Sequence, residues 1–488
     1  SKRDWSSDVC SSDLVLTGNW GKPGTGWDSW AMPADHVEVL MLLEKPVKQG
    51  GLAKIEAFSQ AIAERVMAED PEANSEIISI EVIKEMSKVM GSALPVFWLY
   101  YHCGYKDLFD VEEWSDPALK RNFTDYLEEA LEKGWWDDKL VRPAPDKTPR
   151  VLKIISSNPI RRVRSASILY PRELFPKLSM IYAIEPRMSS SAMYADVFLP
   201  AAWYYEKTDF TVSITTNPRF CFIEKAVEPQ GEARSEWEIC AAILKRVGEI
   251  ATERNLGGYE DVFGNTRRYD ELYSKFTMDG HLLTPEDVVE EMTELAAVLD
   301  IFPKDLTYDK FKEDGIVDMI GFGHGFMKDL VANEYDPTKP FFSLRWHVDE
   351  QKIYPTYARR AQFYIDHDWY LEADEHLPTH KEPPKIGGDY PFRITGGHPR
   401  HSVHSTHLAQ EGMMKLHRGQ PVMHMNDSDA MERGIRDGEL VECFNDFSDF
   451  KVMVKISPSV QPKQVVIYFW EAYQFKEWKI YDRLLIGL

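Results

Sequence analysis

The chain has 488 residues, 43% hydrophobic and 12% aromatic, and its 57 Lys+Arg against 79 Asp+Glu leave a formal net charge of −22. So much apolar material excludes global disorder, and so acidic a chain argues against nucleic acid, whose phosphates demand a dense positive surface. No apolar run, Val465 to Trp470 included, approaches the ~20 residues a bilayer needs, so no membrane span is expected.

At about 150 residues per domain the length suggests roughly three domains or one large interlocked body. Cys10, Cys103, Cys221, Cys240 and Cys443 are too scattered for a zinc or iron–sulfur clip, and each reads as a small buried hydrophobe. The opening SKRDWSSDVCSSDL lacks both a hydrophobic period and a signal layout, and it resembles a translated sequencing adapter. Residues 1–14 are therefore expected to be artefact. The closing KIYDRLLIGL stops inside an apolar run, which suggests a cut at that end too.

In chain order, Gly18, Gly21, Gly24 and Gly26 around Pro23 mark backbone that turns tightly or approaches something closely. Leu52, Ile55, Phe58, Ile62 and Val66 recur at helical spacing, and Phe123 to Lys133 repeats the pattern before Gly134 ends it. The apolar run Val151–Ile155 predicts a strand, followed at once by the polar turn Ser156, Ser157, Asn158, Pro159 and then Arg161, Arg162 and Arg164. Further strands are predicted at Met180–Ile184 and Asp196–Leu199, which together read as an α/β unit with a parallel sheet. Ligands of such sheets sit at the carboxyl ends of strands, where the Ser156–Arg162 turn lies. There Asn158 can fix local backbone and Arg161 can reach outward to an anion.

A helix over residues 235–254 is followed by mixed helices and aromatic-rich loops to about residue 390. The run from His380 to Gly388 reads as a linker. Beyond it, strands predicted at Phe392–Thr395, Leu440–Phe444, Val452–Ile456 and Val465–Trp470 suggest a small β-barrel. His398, His401, His404 and His407 invite a metal, but a spacing of three puts them on one face of neither a helix nor a strand, so no metal site is assigned. With Arg400 and Ser402 they better suit a polyanionic or heteroaromatic ligand. Asn426, Asp429, Gly434, Asp437 and Gly438 read as helix caps and turns, and Asn445 as a turn residue. Asp196, Glu206 and Lys207 read as a buried ion-pairing group.

Taken in order, TGNWGKPG, SSNPIRR, SMIYAIEPRMSSSAMYADVFLPAAWYYEK, EPQGEARSEWEI, GGHPRHSVHS and MNDSDAMERGIRDGELVECFND resemble the molybdopterin oxidoreductases of the dimethyl sulfoxide reductase family. RRAQFYIDHDWYLEADEHLPTHKEPP and YFWEAYQF look most like its type II branch. That branch holds the catalytic subunits of ethylbenzene and dimethyl sulfide dehydrogenases and of selenate, chlorate and perchlorate reductases. The resemblance spans nearly all of Val15 to Leu488. It implies an α/β fold of Rossmann-like nucleotide-binding parallel-sheet domains followed by a partial C-terminal β-barrel of double-psi type. The expected divisions are 15–145, the end of one cofactor-binding domain, and 146–385, the second half of another with an insertion. Residues 386–488 would be the dinucleotide-binding barrel.

The resemblance further implies molybdenum held by bis(molybdopterin guanine dinucleotide). The cofactor would be contacted by Ser157, Asn158 and Arg161, by His398, Arg400, His401, Ser402 and His404, and by Asn426, Asp429 and Asn445. Catalytic residues are not assigned. The molybdenum-ligand Asp and the cysteines of a 4Fe-4S cluster are expected upstream of Val15. The implied chemistry is oxygen-atom transfer or hydroxylation of a small-molecule substrate. Electrons would pass to an iron–sulfur subunit and a haem b subunit, in the periplasm or, as the second choice, the cytoplasm. The rival expectation is a non-catalytic nucleotide- or metal-binding protein built on the His398–His407 loop.

Overall fold

A computed structural model describes residues 14–25, 40, 43–90, 94–136, 138–142, 148–212, 219–261, 265–321, 332–334, 336, 338–339, 342–354, 356, 358–397, 411–416 and 422–468. The loop carrying His398, Arg400, His401, Ser402, His404 and His407 lies outside the described residues, as do Cys10 and Gly26.

The N-terminal part is helical. Helices Ala53–Glu69 and Ser75–Met90 follow one another, the first burying Ile62 and Val66. The helix Phe123–Glu132 starts where the Asn122 side chain accepts the Asp125 N–H at 2.9 Å, and the chain leaves it through Gly134 at φ 68°. An Asn at this position satisfies one of the donors that every helix start leaves open. Leu127 and Leu131 pack from this helix against Phe97 and Tyr100 of the helix Leu94–His102. Gly21 confirms close approach: a Cβ there would lie 2.6 Å from Val348 Cγ2 and 3.0 Å from the Leu344 carbonyl oxygen. The glycine-rich turn thus rests on the segment 344–348, and Trp20 Nε1 donates to Tyr354 Oη at 2.9 Å.

Strands β1 (Val151–Ile155), β2 (Met180–Glu185) and β3 (Val197–Pro200) form a parallel sheet in the order β1-β2-β3. The middle strand is the most buried, with Ile181, Ala183 and Ile184 enclosed, as a strand covered on both faces requires. The third strand begins at Val197 rather than Asp196. The Asp196 carboxylate accepts the Ile181 N–H at 2.7 Å and so belongs to the entry of the sheet. The helix Glu236–Glu253 closes the unit. Its start is a capping box in which Ser235 Oγ accepts the Glu238 N–H at 3.2 Å and Glu238 Oε2 accepts the Ser235 N–H at 3.0 Å. Ile239 from this helix meets Ile184 and Ala201.

Strands β4 (Asp209–Val212), β5 (Arg219–Ile223) and β8 (Ile316–Asp318) make a small antiparallel sheet over Phe220, Phe302 and Phe311, with the hairpin β6 (Gly258–Glu260) and β7 (Thr266–Arg268) to one side. The last sheet is a mixed half-barrel of β9 (Arg393–Gly397), β10 (Val422–Met425), β11 (Leu440–Phe444), β12 (Asp449–Ile456) and β13 (Gln464–Tyr468), ordered β11-β12-β10-β13-β9. Phe450, Val452 and Val454 alternate inward along β12 and meet Met423 and Met425 of β10 and Val465 and Ile467 of β13. Strand β10, at the centre of this sheet, is absent from the sequence reading. The expected barrel strands are otherwise all present with ends shifted by up to three residues. Among the described residues no helix is long and apolar enough to cross a membrane.

Candidate functional site

The carboxyl end of the parallel sheet is where the fold concentrates polar groups. Ser156 leaves β1 at φ 45°, a left-handed backbone that costs a side-chain-bearing residue roughly 1–2 kcal/mol and that neighbouring bonds must hold. Its N–H donates to the Ile184 carbonyl at 3.4 Å, and the next N–H, from Ser157, donates to Glu185 Oε1 at 2.7 Å. Asn158 Oδ1 accepts from Ser191 Oγ at 2.6 Å and from the Ser191 N–H at 3.1 Å, while Ser191 Oγ accepts the Ile160 N–H at 2.9 Å. Ser191 is fully enclosed and Glu185 nearly so. The turn is therefore fastened from the exit of β2 and from the serines that follow it. Glu185, Ser189, Ser190 and Ser191 were not picked out in the sequence. The available signal was a serine run following β2 at the same sheet end as the Ser156–Asn158 turn.

The three arginines of this segment divide. Arg161 is 3% exposed, so its side chain does not reach outward as the sequence reading has it, whereas Arg162 and Arg164 are exposed. Neither Arg162 nor Arg164 makes an ion pair among the described residues, which is notable in a chain of net charge −22. The reason for the division is local: Pro159–Arg162 is one helical turn whose Ile160 and Arg161 face inward. Beneath it, Ile160 packs with Cys103, Tyr105, Leu169 and Tyr170. Burial pushes the Cys103 thiol up to about 12 and raises the Tyr105 and Tyr170 phenols above their ordinary value. This floor is an apolar support whose thiol and phenols burial holds in their neutral form.

The C-terminal candidates each have a partner within the fold. Asn426 caps the helix Asp427–Glu432 by accepting the Ser428 N–H at 2.9 Å, and its amide donates to the Val460 carbonyl at 2.6 Å. Asp429, 2% exposed, accepts the Lys463 N–H at 2.7 Å. Asn445 Oδ1 accepts the Phe447 and Ser448 N–H groups at 2.9 and 2.8 Å, closing the turn between β11 and β12. The linker docks on that same turn. Asp446 N–H donates to the Gly387 carbonyl at 2.9 Å, and a Cβ on Gly387 would lie 2.5 Å from Asn445 Nδ2. The third group, Asp196, Glu206 and Lys207, does not assemble as one ion-paired unit. Lys207 pairs with Glu236 and Asp209, and Glu206 accepts the Trp203 N–H at 2.8 Å.

Two distant stretches meet here. Phe447, from the β11–β12 turn, packs against the cluster that contains Ile160, and its ring stands edge-on to Trp114 at 6.3 Å. The structure thus brings the Asn445 turn to the underside of the Ser156–Arg162 turn. The exposed donors there are the Ser156 hydroxyl and the Arg162 and Arg164 guanidiniums, a set whose chemistry fits an anionic nucleotide.

Residues 13–246 match the family model described as molybdopterin oxidoreductase, and residues 392–481 match the molydopterin dinucleotide binding domain. Over 393 residues the chain is 32% identical to the respiratory nitrate reductase subunit alpha of Haloferax mediterranei, covering 78% of this chain and 38% of that protein. It is 32% identical over 333 residues to the perchlorate reductase subunit alpha of Dechloromonas aromatica, covering 67% of this chain and 34% of that protein. Over 328 residues it is 30% identical to the dimethylsulfide dehydrogenase subunit alpha of Rhodovulum sulfidophilum, covering 67% of this chain and 35% of that protein. The chain spans little more than a third of the length of these relatives. One family model falls on the parallel sheet that carries the Ser156–Arg162 turn and the other on the C-terminal half-barrel, and with these relatives they establish that the chain belongs to the molybdopterin oxidoreductases of the dimethyl sulfoxide reductase family.

Proposed function

We propose that this chain is the cofactor-holding part of the catalytic subunit of a molybdenum-dependent oxidoreductase. The observation that carries the reading is the polar turn at the carboxyl end of a parallel sheet, with exposed Arg162 and Arg164 beside it that make no ion pair among the described residues, inside a chain that matches both family models. When bound, bis(molybdopterin guanine dinucleotide) supplies a molybdenum centre that exchanges oxygen atoms and electrons with substrate. The chain's own contribution is to bind and orient. Arg162 and Arg164 supply charge-assisted hydrogen bonds to phosphate oxygens, Ser156 supplies a hydroxyl, and Arg161 stiffens the turn from within. Asn426, Asp429 and Asn445 shape the half-barrel, whose β11–β12 turn packs beneath the Ser156–Arg162 turn through Phe447.

The relatives are named as alpha subunits, which supports further subunits around this one; an iron–sulfur subunit and a haem b subunit are the partners proposed, in the periplasm. Reduction of an oxyanion is the favoured direction, because a nitrate and a perchlorate reductase subunit are among the relatives. Metal and nucleotide analysis of the chain purified from an anaerobically grown host tests this. Molybdenum together with guanine nucleotide is expected. Zinc or nickel without guanine nucleotide would overturn the reading in favour of a metal-binding protein.

A further inference from the structure

The bonds at the Ser156–Arg162 turn point beyond its exposed donors. Asn158 sits where a nucleotide-contacting side chain is expected, yet its oxygen is occupied twice by Ser191. Ser191 in turn uses its hydroxyl in both directions, donating to Asn158 and accepting from Ile160 N–H. On the other side of the turn, the buried Glu185 carboxylate takes the Ser157 N–H, directly after the left-handed Ser156. The Glu185 carbonyl also accepts the Ala201 N–H at 3.0 Å, so the exit of the central strand ties both neighbouring strand exits together. Glu185 ends β2 and Ser191 belongs to the segment that follows it, and both residues are buried.

We propose that Ser191 and Glu185 are positioning residues of the nucleotide-binding turn, and that Asn158 acts through Ser191 and is not itself a ligand. The inference rests on the reading above that this turn holds guanine dinucleotide. A turn held at its first, second, third and fifth residues by buried partners has its ordering cost met before the ligand arrives. Without the Ser191 hydroxyl the Ile160 N–H loses its partner and the Asn158 oxygen keeps only the backbone N–H of residue 191, so the helical turn beginning at Pro159 is loosened and Arg162 is presented in many orientations.

The test is fluorescence titration of the 488-residue chain with N-methylanthraniloyl-GDP, together with amide exchange at Ser157 and Ile160 and the melting temperature. Ser191→Ala is expected to weaken binding about tenfold and to speed exchange at Ile160, with little change in global melting. Asn158→Ala is expected to do the same, and the double variant to be no worse than either single one, because the two act as a unit. Glu185→Gln should speed exchange at Ser157 and weaken binding in the same direction. If Ser191→Ala binds the probe as the parent does, the positioning role is wrong while the nucleotide reading stands. A parent that binds no probe ends the nucleotide reading itself, and the two failures are told apart by which protein fails. Should Ser191→Ala not fold, the half-buried Asn158→Ala removes both bonds between Asn158 and Ser191 while leaving the Ile160 bond to the serine hydroxyl, and parent-like binding by it would equally overturn the proposal.

Discussion

Asp429 separates a ligand from a brace, and its replacement can be worked through from the bonds it makes. The carboxylate is 2% exposed and accepts the N–H of Lys463, a residue held at φ 64° immediately before β13. The Lys463 carbonyl accepts the Arg393 N–H at 3.0 Å at the start of β9, so one carboxylate fixes the register between β13 and the edge strand β9. Asp429→Ala deletes a hydrogen bond to a charged acceptor and leaves a backbone donor unpaired in a left-handed residue, a loss of roughly 2 kcal/mol. The 3.7 Å contact with the Lys463 ammonium adds little, because that side chain is 52% exposed. Local opening should then make amide exchange at Lys463 and Gln464 about 30-fold faster. Asp429→Asn keeps an acceptor in place and should recover most of the loss. The assay is hydrogen exchange with both variants and the parent under one set of conditions. Parent-like exchange in Asp429→Ala, with bound guanine nucleotide lost, would refute the brace and make Asp429 a direct ligand.

Three further outcomes are expected. Gly387→Ala should loosen the linker from the β11–β12 turn, because the residue sits at φ 83° and the new methyl would meet the Asn445 amide; protease nicking between His380 and Gly388 should accelerate, and an unchanged rate would count against the docking. Lys133, Arg121 and Trp369 hold the Glu129 carboxyl down at about 2, so its folded pKa lies below its unfolded value. Its contribution is full above the unfolded pKa and is lost as pH falls from about 4.5 towards 2, so the near-ultraviolet dichroism of Trp135 and Trp369 should fade in that window in the parent and be flatter in Glu129→Gln. Cys103, wholly buried with its thiol pushed up to about 12, should stay silent to a thiol reagent at pH 8 until the chain is unfolded, and rapid native labelling mapped to Cys103 by peptide analysis would show the cluster to be open.

Local pattern made the parallel unit readable, since Val151–Ile155 and Met180–Ile184 are short apolar runs bounded by polar turns. The helix after Ser235 was equally plain from the apolar side that Trp237, Ile239, Ile243 and Val247 supply. Strand β10 escaped because His424 interrupts four residues that are otherwise Val and Met, and only pairing with β12 and β13 makes them a strand. At the site, residue type showed where polar chemistry gathers but not which way a side chain points. Arg161 and Arg162 are indistinguishable by composition, and a single helical turn sends one inward and leaves the other outside. The capping roles of Asn426 and Asn445 were legible because they are local in sequence. The Asn158–Ser191 bond was not, because it joins two loops brought together only by the sheet.

The seating of Phe447 against the Ile160 cluster has a consequence for biosynthesis. Ribosomes deliver the Ser156–Arg162 turn long before the β11–β12 hairpin, so during translation the apolar underside of that turn lacks one of its covering rings. A contact this remote in sequence forms late, since chain closure must precede any gain from it. A nascent chain halted between Leu178 and Phe447 therefore holds the rest of this cluster without its last apolar cover, a patch on which a holding chaperone can act until the β11–β12 turn seats Phe447 there.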